Sequence, residues 1–239
     1  MKKLIIFLMC ITWAAFAFAQ SRIGGFGHLS VGYGWEDWSR VSDDLKLPER
    51  LGADLRLSNG GISGGGAGFF VFDRFLIGGK GYGTAFGRHS TPRGKVELVS
   101  GMGFLEMGAM LFANPGGFGY VFGGIGGGGS GVHFVNRSDD DWYFNGPEQG
   151  PGVHAYSEKD FGYGGLAGEL GLALDRWVIG RNGGLKLGLE TGANFWLYRE
   201  EWGYDDITVN DLSRSGNVGF YIRMTIGGGY VGSLNRQAK

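Results

Sequence analysis

"GNVGFYIRMTIGGGY", residues 216–230, decides the fold. Val218, Phe220, Ile222, Met224, Ile226 and Tyr230 share one face of an extended chain, while Asn217, Tyr221, Arg223 and Thr225 share the other. Two upstream stretches repeat the pattern. In "LKLGLETGANFWLY", residues 185–198, Leu185, Leu187, Leu189, Ala193, Phe195 and Leu197 oppose Lys186, Glu190, Asn194 and Tyr198. In "YGGLAGELGLALD", residues 163–175, Leu166, Leu170, Leu172 and Leu174 oppose Glu169 and Asp175. A period of two marks strands with one apolar and one polar face. Strands of a soluble sandwich usually stop after about five or six residues. A tilted strand that crosses a bilayer needs about 9–11 residues in the hydrocarbon. The runs here are longer than either. Because lipid cannot hydrogen-bond a backbone, such strands must close into a barrel.

Working outward, the same reading predicts eight strands at roughly 22–34, 60–71, 75–87, 94–111, 117–134, 161–175, 184–198 and 214–230. The connections between them alternate between short turns and longer loops, as in an up-and-down transmembrane barrel. Pro48, Pro92, Pro115, Pro147 and Pro151 all fall in connections, as they must where no edge strand exists to tolerate proline. In "KVELVSGMGFLEMGAML", residues 95–111, the alternation slips near Gly103, which predicts a bulge there. The glycine content of the second and fifth strands leaves their facing open. Aromatic residues near strand ends are expected in interfacial girdles. These are Trp35, Trp38, Trp142, Tyr143, Trp196 and Trp202 on the loop side, and Phe72, Phe75, Phe112, Trp177 and Tyr230 on the turn side.

Glycine accounts for 51 of 239 residues, against 5 prolines and 15% aromatics. "GFGYVFGGIGGGGSG", residues 117–131, shows why this is not a linker: Phe118, Tyr120 and Phe122 alternate through it. Gly124, Gly126 and Gly129 match a dinucleotide fingerprint by spacing, but the flanking strand and helix that give it meaning are missing. A spanning strand is the better reading, because glycine lets side chains from opposite walls of a narrow barrel pass.

The chain opens on Lys2 and Lys3, then an apolar run from Leu4 to the small-residue pattern Ala17-Phe18-Ala19. A secretory signal peptide over 1–19 is expected, followed by one barrel domain over 20–239. Cys10, the only cysteine, lies inside that leader, so no disulfide or thiolate metal site is expected in the mature chain. Removing Lys2 and Lys3 leaves 20 of the 22 Lys and Arg against 23 Asp and Glu, a net charge of −3. Such a balance predicts no nucleic-acid partner.

In this arrangement of strands and loops the mature chain resembles the small eight-stranded outer-membrane barrels. These are the OmpA/OmpX-like and Opa-like group, in the glycine- and aromatic-rich form of Bacteroidota. Asn217, Gly219, Ile222 and Met224 fit the terminal-strand assembly signal of that group, although "VGSLNRQAK", residues 231–239, follows Tyr230 where many relatives end on an aromatic. The resemblance implies an outer-membrane location with both termini periplasmic. It also implies contact with outer-membrane lipids and lipopolysaccharide, handling by the outer-membrane assembly machinery, and a possible larger envelope complex.

Inward-pointing polar residues form the first candidate site: Lys80, Glu169, Lys186, Glu190, Asn194, Tyr221 and Arg223, with Asp175 lower down. An eight-stranded barrel is just filled by its side chains, so opposite charges there must pair. A structural network and a narrow ion path constricted at Arg223 and Glu190 both fit. Lipid-A-modifying enzymes of this size need a His/Ser pair at the lipid face; His28 with Ser30, and His133 with Ser130, are the pairs to inspect. His28 and Ser30 are read as facing the lumen, so no enzyme and no catalytic residue is expected. His89 and His154 have no ligand spacing, and neither metal nor cofactor is expected. The long loops are candidates for recognition, above all Asp139, Asp140, Asp141, Trp142 and Tyr143, with Glu200, Glu201, Asp205 and Asp206 beside another aromatic pair. A secreted soluble sandwich is the remaining alternative.

Overall fold

The computed structural model describes residues 22–44, 57–139, 142–143, 152–153, 158–204, 207–209 and 216–233. The leader expected over 1–19 lies outside them. Eight long strands appear: β1 (Arg22–Glu36), β2 (Gly60–Asp73), β3 (Phe75–Thr91), β4 (Gly94–Asn114), β5 (Gly117–Asn136), β6 (Glu158–Ile179), β7 (Gly183–Arg199) and β8 (Val218–Ser233). Each pairs antiparallel with the next, and β8 returns to pair with β1 from Arg22↔Ser233 to Glu36↔Gly219. The ring is closed. No described helix is long and apolar enough to cross a membrane.

Strand polarity is inside out. Leu29, Phe70, Ile77, Leu105, Ile125, Leu170 and Met224 stand exposed on the outer wall, with Leu105 at 80%. Lys80, Glu106, Glu169, Lys186, Glu190 and Arg223 are buried within. In water this distribution would leave a belt of apolar surface far larger than a soluble monomer carries. In lipid it is the stable one, because the outer side chains meet acyl chains and every spanning backbone group has a partner strand. The soluble-sandwich alternative fails on this point.

The strands also outrun the bilayer. β4 has 21 residues and β6 has 22, about twice the 9–11 needed to cross. Toward the loop end the polarity reverses. Lys95, Glu97, His133, Glu158 and Asp160 turn outward and pair with one another, Lys95 with Glu97 and His133 Nδ1 with Asp160 Oδ1 at 2.8 Å. Val96, Leu98, Val132, Phe134 and Phe161 turn inward around Trp38 and Trp202. This reversal explains the apparent slip near Gly103. There is no bulge at Gly103: pairing runs unbroken from Lys95↔Val135 to Met110↔Tyr120. What changes is the medium outside the wall, not the register. The irregularities sit instead at Ala85/Gly87, Met110/Phe112, Leu166/Ala167 and Trp177/Ile179.

Facing corrects four of the expected girdle residues. Trp38 and Trp202 are fully buried, Trp177 is buried at the turn end, and Trp196 is partly buried against interior clusters. Trp35, Phe72, Phe75, Phe112 and Tyr230 do face outward. Tyr198 is corrected too. The extra residue Leu197 in β7 shifts the register, so Tyr198 pairs with Leu166 and stands 63% exposed on the outer wall. In β2, Ser63, Phe69 and Val71 face in; in β5, Phe118, Tyr120, Phe122, Ser130, Val132 and Phe134 do.

Glycine plays two roles in the wall. Inward glycines make room. A Cβ on Gly171 would overlap the Phe122 ring. Three outward glycines do not: Gly64, Gly83 and Gly101 lie side by side in register, and a Cβ on any of them would meet nothing closer than 3.5 Å. At the loop end, a short helix α1 (Ser39–Asp44) folds over the opening. Asp37 Oδ1 accepts from the Ser39 amide and hydroxyl at 3.0 and 2.7 Å, which holds the Asp37 carboxyl below the usual carboxylate range. Trp38 N–H donates to Asn59 Oδ1 at 2.8 Å, tying the helix entry to β2.

Three variants test the wall. Leu29→Arg, at the centre of the apolar span of β1, is expected to lower barrel stability by about 2–4 kcal/mol in urea titrations in lipid vesicles. Gly171→Ala is expected to cost about 1–3 kcal/mol by overpacking against Phe122, whereas Gly101→Ala changes the midpoint little.

Candidate functional site: the charged lumen

Four layers fill the barrel along its axis. The turn end holds an apolar layer of Phe26, Phe69, Phe118, Tyr120, Phe122 and Trp177 with smaller residues between them. Its rings pack at 4.8 Å for Phe26–Phe118 and 5.4 Å for Phe118–Trp177. The second layer is ionic. Lys80 Nζ lies 2.6 Å from Glu169 Oε1, 3.1 Å from Glu106 Oε1 and 3.1 Å from Glu190 Oε1. It donates hydrogen bonds to Glu190 Oε1 and to the Tyr221 hydroxyl, and the Tyr221 hydroxyl donates to Glu169. Lys186 Nζ reaches Asp175 Oδ2 at 2.8 Å and His28 Nδ1 at 3.1 Å, and His28 Nε2 faces Glu190 Oε2 at 3.4 Å. Glu190 therefore links the two lysines.

Arg223 leads into the third layer. Its guanidinium lies 3.6 Å from the Tyr82 ring centre and 4.0 Å from that of Tyr221, and its Nε donates to Ser63 at 3.0 Å. Stacking between aromatic faces suits a weakly hydrated planar cation. Asn194 Nδ2 donates to the Tyr82 hydroxyl at 3.1 Å, beside Met102 and Phe104. The fourth layer is the apolar cluster under α1, where Trp202 meets Tyr163 edge-on at 4.7 Å. A small pocket between the third and fourth layers is bounded by Thr84, Ser100, Asn194 and Arg223.

The lumen thus brings Lys80, Glu169, Lys186, Glu190, Tyr221 and Arg223 into one network, with Asn194 at its loop-side edge. Glu106 belongs at its centre and was missed by sequence reasoning. Its signal was present: with an unbroken register through Gly103, Glu106 shares a face with Met102 and Phe104. The proposed His/Ser pairs behave differently from one another. His28 is held by Lys186 and Glu190, and Ser30 lies buried beside it on β1. His133 and Ser130 sit on opposite faces of the wall, Ser130 buried and His133 outside with Asp160 and Glu158.

In the loops, Asp139 is described and exposed, Trp142 and Tyr143 form a two-residue strand paired with residues 152–153, and Asp140 and Asp141 lie outside the described residues. His154, Asp205 and Asp206 do as well, while Glu200 and Glu201 are exposed and His89 is half-buried. On β8 and its approach, Asn217 Oδ1 accepts from Arg199 Nη2, Gly219 packs against Asn194, and Ile222 and Met224 face outward. Among the described residues no cluster of His, Cys, Asp and Glu could hold a metal ion.

Fold and lumen together define an eight-stranded antiparallel β-barrel of the outer-membrane type. No protein-family model and no curated protein sequence matches the chain. Among solved structures it is similar to Ail, the attachment invasion locus protein of Yersinia pestis, at 12% identity and a TM-score of 0.41, covering 90% of this chain and 100% of that one. Neisserial surface protein A is similar at 8% identity and a TM-score of 0.41, covering 87% of this chain and 96% of its own. The outer membrane protease OmpT from Escherichia coli is similar at 11% identity and a TM-score of 0.35, covering 90% and 97%. At these identities no residue role passes from them to this chain.

The network carries a sharp stability expectation. Lys80→Met leaves buried glutamates without their ammonium, and is expected to cost about 3–5 kcal/mol by equilibrium unfolding in detergent. Lys95→Ala, which breaks a pair on the outer wall, is expected to cost under about 1 kcal/mol.

Proposed function

We propose that the protein is a non-enzymatic integral component of the outer membrane, with both termini in the periplasm. Its long-loop end would serve as a recognition surface. One observation carries this reading: the lumen is closed at both ends by apolar layers, while the wall at the loop end continues past the lipid belt with soluble-type polarity. A closed lumen supports a structural network over an ion path, since any ion passing Arg223 and Glu190 would still meet two dehydrated layers. The elaboration at the loop end supports a role outside the membrane plane, where long loops on a rigid scaffold commonly carry function.

The candidate contact residues are Asp139, Asp140, Asp141, Trp142 and Tyr143. The partners that fit them are lipopolysaccharide and a larger envelope complex. Asn217, Gly219, Ile222 and Met224 would present the assembly signal to the insertion machinery before the ring closes.

Orientation and role are tested together in cells. Since Cys10 falls in the expected leader, a single cysteine introduced as Asp139→Cys should react with a membrane-impermeant maleimide on intact cells. Asn182→Cys, at a turn, should react only after the outer membrane is opened; the reverse pattern overturns the topology. Replacing residues 139–143 with Gly and Ser should abolish co-purification with envelope components in mild detergent while leaving the barrel folded. In planar bilayers the wild-type protein should show no discrete conductance steps.

A further inference from the structure

The ionic layer contains one negative charge too many. Glu106, Glu169, Glu190 and Asp175 supply four carboxylates, all buried; Lys80, Lys186 and Arg223 supply three cations. His28 cannot make up the difference. Its Nδ1 lies 3.1 Å from the Lys186 ammonium, which only donates, so Nδ1 accepts and the ring is neutral with its proton on Nε2 toward Glu190. Passing a proton from Lys186 to His28 would leave the total unchanged. In a lumen closed by apolar layers, an uncompensated carboxylate carries a heavy desolvation penalty.

Partner counting locates the surplus. Asp175 accepts from the Thr225 hydroxyl at 3.1 Å on Oδ1, and its Oδ2 lies 2.8 Å from the Lys186 ammonium without a hydrogen bond. Glu190 accepts a hydrogen bond from Lys80 on Oε1, which also faces Arg223 Nη1 at 3.7 Å, while its Oε2 has His28 at 3.4 Å and no hydrogen bond. Glu169 accepts from Tyr221 on Oε1, but its Oε2 has no hydrogen bond. Glu106 touches Lys80 by charge alone, and neither of its oxygens accepts a hydrogen bond. Of the four carboxylates only Glu106 accepts no hydrogen bond on either oxygen, and it shares its ammonium with Glu169, whose Oε2 also accepts none.

Register explains how the two meet. Glu106 on β4 pairs with Gly124 on β5, and Gly124 pairs with Glu169 on β6. The two glutamates flank a position without a side chain. A Cβ at Gly124 would stand 2.9 Å from Glu106 Cγ, so only glycine leaves the interior gap open.

We propose that Glu106 and Glu169 share one bound proton in the folded barrel at neutral pH. Glu106 carries it as the neutral acid and donates to the open oxygen of Glu169. The bound proton brings the layer to charge neutrality and gives Glu169 Oε2 the hydrogen bond it lacks. The charged or titratable groups facing the pair are Lys80 and Tyr82 from β3, Glu190 and Lys186 from β7, Tyr221 and Arg223 from β8, His28 from β1 and Tyr120 from β5. None has a proton to spare without moving the deficit elsewhere. Two buried carboxyl groups that contact one ammonium titrate as a pair. The folded state then keeps a proton that the unfolded chain gives up above the ordinary glutamate pKa of about 4.3, so stability falls as pH rises from there until the folded pair loses it as well. The inference is independent of what the loops recognise.

Infrared spectroscopy of the refolded barrel tests it, because surface carboxyls are all ionised at neutral pH and a buried neutral acid shows its own carbonyl stretch. The wild-type protein should show this band, shifted in heavy water and absent in Glu106→Gln. Glu106→Gln should keep or raise the urea midpoint and flatten its decline as pH rises from mildly acidic values, whereas Glu190→Gln lowers the midpoint. No neutral-acid band in the wild type overturns the proposal, as does a Glu106→Gln midpoint that falls as far as that of Glu190→Gln. Should neither variant refold, the wild-type band decides alone, its presence supporting the shared proton and its absence ruling it out.

Discussion

A peptide backbone in hydrocarbon has nothing to bond with except another strand. That constraint forces the first strand of this chain to meet the last, β1 with β8, over the full length of both. Once the ring is closed, much else follows. There is no edge for proline to occupy, and Pro92 and Pro115 lie in turns. Glycine, normally costly in a strand, is held by ladders on both sides. With eight strands, the tube is so narrow that side chains alone fill it.

Filling a narrow tube from all sides creates a packing problem that glycine solves. Where a large side chain leans across its neighbouring strand, the paired residue must be small, as Gly171 is beneath Phe122 and Gly192 beneath the Tyr221 hydroxyl. The outward Gly64, Gly83 and Gly101 on β2 to β4 follow no such rule, since a Cβ at any of them would meet nothing closer than 3.5 Å. The interior is therefore built by volume matching, and the charges within it sit where the volumes permit. Lys80 stands at the centre because Gly124 and its neighbours leave space for three glutamates to reach it.

The surrounding medium changes along the strand, and the sequence changes with it. In the lipid belt, apolar residues face out and charged ones in. Past the belt the wall stands in water, and Val96, Leu98, Val132 and Phe134 turn inward exactly as in a soluble core while Lys95, Glu97 and His133 face out. One uninterrupted β-ladder crosses that boundary.

Strand number, strand order, the closed ring and the inside-out wall were legible in the sequence, because a period of two over a dozen residues has few physical explanations. Lys80, Lys186, Glu190 and Arg223 could be read as interior by parity alone. Parity fails wherever an unseen residue is inserted or the outer medium changes, and both occurred here. Leu197 turned Tyr198 outward, and the exit from lipid disguised an unbroken register at Gly103 as a bulge, hiding Glu106. Tryptophan was misread for a related reason: its chemistry suits an interface and a core equally, so only neighbours decide, and Trp38, Trp177 and Trp202 found theirs inside. What alternation determines is which wall a residue belongs to. Which residues meet across the tube, and with what charge between them, depends on register summed around eight strands, and only the closed barrel supplies it.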